Sequence, residues 1–134
     1  MKKLLFVLPI FLAIFQSCTQ SIDINDLNIS NTELKVTFLI KNSSGLESIY
    51  TNKISNNSKE LKYLNNWLIN NSKEWENSIV SYGSPKISLT NDNFRFLIYT
   101  DFVVIGYSDK NNKPRQLTKK VDSNEFEFLN NLKK

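Results

Sequence analysis

Few groups in this chain could do covalent or acid–base chemistry. It has no histidine and one cysteine, Cys18. Composition therefore excludes a Ser-His-Asp triad, a Cys-His dyad and a His or Cys zinc site. The three glycines, Gly45, Gly83 and Gly106, are isolated, so no phosphate-cradling loop is present. Carboxylates remain. Glycoside hydrolysis needs two of them facing each other across a sugar site. The candidates are Glu74, Glu76, Asp92, Asp101, Glu125 and Glu127. Five of the six have a plainer role: Glu125 as a helix cap, Asp92 and Asp101 in turns, Glu74 and Glu76 as solvated charges. A calcium loop would need clustered ligands and a closing glutamate. Asn91-Asp92-Asn93 and residues 108–112 are too short for that and are expected to be turns. We expect no catalytic residue, no cofactor and no metal site. A carboxylate-dependent glycan enzyme is the weakest alternative.

Aromatic residues offer a binding chemistry instead. Trp67 and Trp75 are eight apart, close to two helical turns and hence near one helix face. Core packing on a sheet is the simpler account, with a ligand patch as the other. Tyr82, Tyr99 and Tyr107 fall at strand ends or turns, where a phenol can bury its ring and keep its hydroxyl wet. Interface anchoring is open for them.

These residues must be positioned by elements that hydrophobic periodicity predicts. Residues 33–41 alternate, with Leu34, Val36, Phe38 and Ile40 on one face, as in a strand. Asn42-Ser43-Ser44-Gly45 turns the chain into a second strand over about 46–54, making a hairpin. The period then changes. Asn57 followed by Glu60 resembles a capping box. Leu61, Leu64, Trp67 and Leu68 follow at helical spacing, predicting a helix over about 58–71, with Trp75 in phase for a continuation. Strands are predicted at 86–90, 94–99, 102–107 and 115–121. A second capping box, Asp122 to Glu125 with Val121 and Phe126 as a staple, opens a short closing helix. The expected fold is α+β: a mainly antiparallel sheet of five to six strands, order ββ-α-ββββ-α, with two helices packed on one face.

The N-terminus has its own logic. Lys2 and Lys3 precede twelve apolar residues, LLFVLPIFLAIF, then Gln16, Ser17 and Cys18. A positive end, a short apolar run and a small residue make a secretory signal peptide, and twelve residues are too few to span a bilayer. The four residues Phe15-Gln16-Ser17-Cys18 resemble the cleavage box of bacterial lipoprotein precursors. That resemblance covers residues 1–18 only. It implies cleavage between Ser17 and Cys18, lipidation of Cys18 by diacylglycerol and usually a further acyl chain such as palmitate, and a membrane partner reached through this lipid anchor. Thr19, where an aspartate would favour inner-membrane retention, implies the outer membrane, inner leaflet, facing the periplasm.

The expected organisation is a signal peptide over 1–17, a lipidated N-terminus and tether over 18–31, and a single small domain over 32–134. Ile22, Ile24, Leu27 and Ile29 leave docking of the tether as an edge strand open. Loss of Lys2 and Lys3 takes 17 basic residues to 15 against 13 acidic, a balance of +2. That is no nucleic-acid footprint. A small tethered domain without catalytic groups works by occupying a surface. The expected function is a lipid-anchored, non-catalytic protein-binding domain of the cell envelope. One concrete form is an immunity-type protein that neutralises an envelope-targeting toxin. The alternative is a structural or assembly accessory of the outer membrane.

Overall fold

Alternating side chains build one face of the sheet, and an amphipathic helix covers it. The computed structural model describes residues 18–122 and 124–133. The expected signal peptide with Ser17, and Ser123 of the second capping box, lie outside the described residues. In chain order the elements are β1 (Thr19–Gln20), α1 (Ile24–Leu27), a 3-10 turn (Ile29–Asn31), β2 (Leu34–Lys41), β3 (Glu47–Ile54), α2 (Lys59–Asn70), β4 (Trp75–Asn77), β5 (Ile87–Thr90), β6 (Phe94–Ile98), β7 (Phe102–Ser108), β8 (Pro114–Lys120) and a closing 3-10 helix (Glu127–Lys133).

The eight strands form one sheet in the order β1-β4-β8-β7-β6-β5-β2-β3, with every pair antiparallel. This corrects the expected sheet of five to six strands ordered ββ-α-ββββ-α. The two added strands, β1 and β4, have two and three residues. Such lengths are too short for alternation to register in sequence. The closing segment is also a 3-10 helix rather than an α-helix. It is pinned: Asn52 donates to the Leu132 carbonyl at 3.1 Å, Glu125 accepts from the Asp122 N–H at 2.8 Å, and Trp67 donates to Glu125. A 3-10 run of seven residues is longer than usual, and these bonds hold it near both ends.

Register lines up the core. Val36, Leu89, Phe96, Ile105 and Leu117 face one another across β2, β5, β6, β7 and β8, and all are fully buried. Phe38, Ile87, Ile98 and Val103 form the next row. Leu61, Leu64 and Leu68 of α2 complete this core. Each such side chain contributes about 1.5–3 kcal/mol by burial. The helix starts one residue later than expected: Ser58, not Asn57, is the N-cap and accepts the Leu61 N–H at 3.1 Å. The helix ends at Asn70, so it does not continue to Trp75. Trp75 lies in β4, turned there by Glu74 at φ 63°, and its indole donates to the Asn71 carbonyl at 2.6 Å.

The N-terminal segment is part of this body: of the two arrangements left open for it, free tether or docked segment, it takes the docked one. Ile22, Leu27 and Ile29 are buried in the core, and Ile22 donates its N–H to the Ser72 carbonyl at 2.8 Å. Gln20 accepts a hydrogen bond from Arg115. Apolar burial outweighs the freedom of the chain here.

Sheet order also forces a crossing. β4 and β5 are consecutive in sequence, yet β8, β7 and β6 lie between them. Residues 78–86 therefore strap across the face opposite α2. Ser78 donates its N–H to the Gln116 carbonyl, and the Gln116 side chain donates to the Val80 carbonyl, both at 2.9 Å. Tyr82 packs on Tyr99 and Phe102 with ring centroids 5.7 and 5.2 Å away. Val104, on this second face, is thereby buried.

Candidate functional site

Two concave regions gather the residues that could act. The first lies at one end of the sheet, where the ends of β2, β5 and β6 meet the closing 3-10 helix. It is an open cleft of about 610 Å³. Leu39, Ile87, Ile98, Tyr99 and Phe126 supply its apolar floor. Lys41, Lys86 and Lys133 line it, against one carboxylate, Glu127. Lys41 pairs with Glu47 at 3.1 Å, and the Lys133 ammonium sits 5.2 Å from the Phe38 ring centroid. Lys86 is exposed, and its backbone N–H is fixed on the Ile98 carbonyl at 2.9 Å. An apolar floor with a cationic rim suits a chain segment that combines acidic and apolar side chains.

The second region is a depression of about 590 Å³ beside β4. It brings together three of the six candidate acids, Glu74, Glu76 and Asp101, along with Lys119 and Lys120. All three acids are exposed. The other three are elsewhere. Asp92 is in the β5–β6 turn, Glu125 holds the Asp122 and Trp67 N–H groups, and Glu127 lines the first cleft. Among the described residues no cluster of His, Cys, Asp and Glu could hold a metal ion.

In each of the two candidate cation loops one side chain accepts backbone N–H groups of its own loop. Asp109 accepts the backbone N–H groups of Lys113 at 3.0 Å and Asn111 at 2.9 Å. These bonds, the Lys113 one foremost, hold its carboxyl below the usual carboxylate value. Asn91 accepts the Asn93 N–H at 2.9 Å.

The aromatic candidates separate. Trp75 is fully buried. Trp67 is half-buried, 6.3 Å from Trp75, 5.7 Å from Phe96 and 4.9 Å from Phe126, centroid to centroid. Both are core. Tyr107 is buried, whereas Tyr82 and Tyr99 hold the strap. Tyr99 donates its hydroxyl to the Gly83 carbonyl at 2.9 Å. Burial, with the nearby Tyr82 adding to it and Arg95 opposing it, pushes the Tyr99 phenol above its ordinary value.

Cys18 is exposed and directly precedes β1, at one edge of the sheet. β3 forms the other edge, seven strand positions away. Around it Ile40, Leu46 and Ile49 expose apolar surface, with Ile49 72% exposed. Sequence reasoning missed Lys41, Lys86 and Lys133 as a group. They are far apart in the chain, and only sheet order and the closing helix bring them together.

No protein-family profile matches the chain, and no curated protein or solved structure matches it either. Among the described residues no helix is long and apolar enough to cross a membrane.

Proposed function

We propose that this chain is a lipid-anchored protein-binding domain of the bacterial cell envelope, and that the partner it captures is an incoming toxin, which it neutralises. The observation that carries this is the separation of two features in one continuous sheet. Cys18 lies at the β1 edge, while the lysine-lined cleft lies across β2, β5 and β6. A lipid on Cys18 would leave the cleft unobstructed. Because β1 and α1 dock on the sheet, the anchor joins the domain with no slack segment between them. The cleft supplies shape and positive charge for steering an acidic partner rather than a nucleophile.

The test has two arms. Cells expressing the chain are labelled with palmitate, with and without Cys18→Ser and with globomycin, which blocks lipoprotein signal cleavage. Label on the parent, its loss in Cys18→Ser and precursor build-up with the drug are expected. Palmitate on Cys18→Ser would overturn the anchor. In the second arm, cells lacking the gene compete against toxin-producing neighbours. Protection restored by the parent gene, but not by a Lys41→Glu, Lys86→Glu, Lys133→Glu triple variant, is expected. Absence of any sensitivity in the deleted strain would overturn the toxin reading.

A further inference from the structure

β3 is an edge strand, and its ladder phase decides which of its backbone groups face outward. In β2 the Leu39 N–H donates to the Lys86 carbonyl at 2.9 Å, toward β5, while the Asn42 N–H donates to the Leu46 carbonyl at 3.0 Å, toward β3. Antiparallel ladders alternate, so odd residues of β2 face β5 and even ones bond β3. With the register Phe38 to Tyr50 and Leu39 to Ile49, the even residues of β3 bond β2. The backbone groups of Glu47, Ile49, Thr51 and Lys53 then point away from the sheet. β3 is the last strand on that side. The Lys53 N–H has a close substitute there, its neighbour's Asn52 Oδ1 at 2.8 Å.

We propose that β3 pairs antiparallel with β3 of a second copy of this chain about a twofold axis at Tyr50. The outward groups must face outward groups, which restricts the register to steps of two residues. One of those registers sets Glu47 opposite Lys53 of the second copy, and Ile49 opposite Thr51. The same contacts recur on the other side of the axis. A shift of one step loses both opposite-charge pairs. The side chains involved share one face with the pairs Lys41–Glu47 at 3.1 Å and Lys53–Glu33 at 2.7 Å. Pairing joins these into an alternating ladder, Lys41, Glu47, Lys53 of the second copy, then its Glu33. The exposed Ile49 gains an apolar methyl opposite it. This contact goes beyond the proposed function and does not use Cys18; it touches the cleft only at Lys41, the partner of Glu47.

The test uses the full chain, purified in mild detergent, with its mass followed by sedimentation across concentration. A reversible dimer is expected below about 100 μM, in the weak range that a small edge contact supports. Glu47→Lys alone sets lysine against lysine, and Lys53→Glu alone sets glutamate against glutamate. Each is expected to weaken self-association about tenfold, since directly opposed charges repel. An equimolar mixture of the two variants is expected to regain the dimer, because both cross-axis pairs become opposite again. Thr51→Pro removes an outward N–H that β2 does not use, so it is expected to keep the fold and lose the dimer. A parent chain that stays monomeric, a Thr51→Pro chain that dimerises like the parent, a mixture that regains nothing or assembly beyond two copies would each overturn the proposal.

Discussion

Arg95 lies across Gly106. The two are partners in the β6–β7 ladder, and a methyl group built on Gly106 would come within 2.5 Å of Arg95 Nε and 2.9 Å of its Cγ. The bare glycine lets the guanidinium continue to the Gln116 side chain, which it reaches at 2.6 Å. Gln116 in turn holds Val80 of the strap. One missing side chain on β7 thus organises the face opposite α2.

That relationship gives a double-mutant cycle. Gly106→Ala is expected to destabilise the protein by about 1 kcal/mol, because Arg95 must abandon Gln116. In an Arg95→Ala background the same change should be neutral or stabilising by up to about 1 kcal/mol, since alanine restricts the unfolded chain more than glycine does. Urea unfolding of the four proteins measures the coupling. Equal costs in both backgrounds would refute the contact.

The N-terminal segment offers a second check. Leu27 is fully buried. Leu27→Ala is expected to cost about 2–5 kcal/mol, the range for a large apolar side chain lost from a core. A free tether would tolerate the change within about 0.5 kcal/mol. Thermal or urea denaturation separates these outcomes.

Glu74 has φ 63°, a left-handed conformation that side chains disfavour by about 1–2 kcal/mol. Glycine removes that strain. Glu74→Gly is expected to stabilise the fold by up to about 1 kcal/mol, and Glu74→Val to destabilise it by more than about 1 kcal/mol. A loss of stability in the glycine variant would mean that the carboxylate itself contributes to the fold.

The strap is expected to respond to alkali. Only a neutral Tyr99 phenol can donate to Gly83, and its folded-state value is raised above the ordinary 10.0. A raised value means the contribution is fully present below the unfolded value and is lost as pH rises through the folded one. Tyr99→Phe is expected to cost about 0.5–1.5 kcal/mol at neutral pH. The gap between parent and variant should hold from pH 7 to 9 and close above about pH 10. Stability curves that stay parallel through pH 11 would show that the hydroxyl does not hold the strap.

The sequence by itself determined the elements whose cause is local. Leu34, Val36 and Phe38 alternate because one face of β2 is buried, and β2 forms there. Leu61, Leu64 and Leu68 recur at helical spacing, and α2 forms there. The absence of histidine likewise restricts the chemistry by composition alone. Causes that act across the chain were not legible. Trp75 is in phase with the α2 leucines, yet Glu74 turns the backbone and β8 offers a ladder, so Trp75 becomes a strand residue. Thr19 and Gln20 make a strand only because β4 lies open beside them. Lys41, Lys86 and Lys133 line one cleft only because antiparallel pairing and the closing helix bring three distant segments to one end of the sheet. Periodicity records which face of an element is buried. Which elements become neighbours depends on non-local pairing, and that is written in no single stretch of the chain.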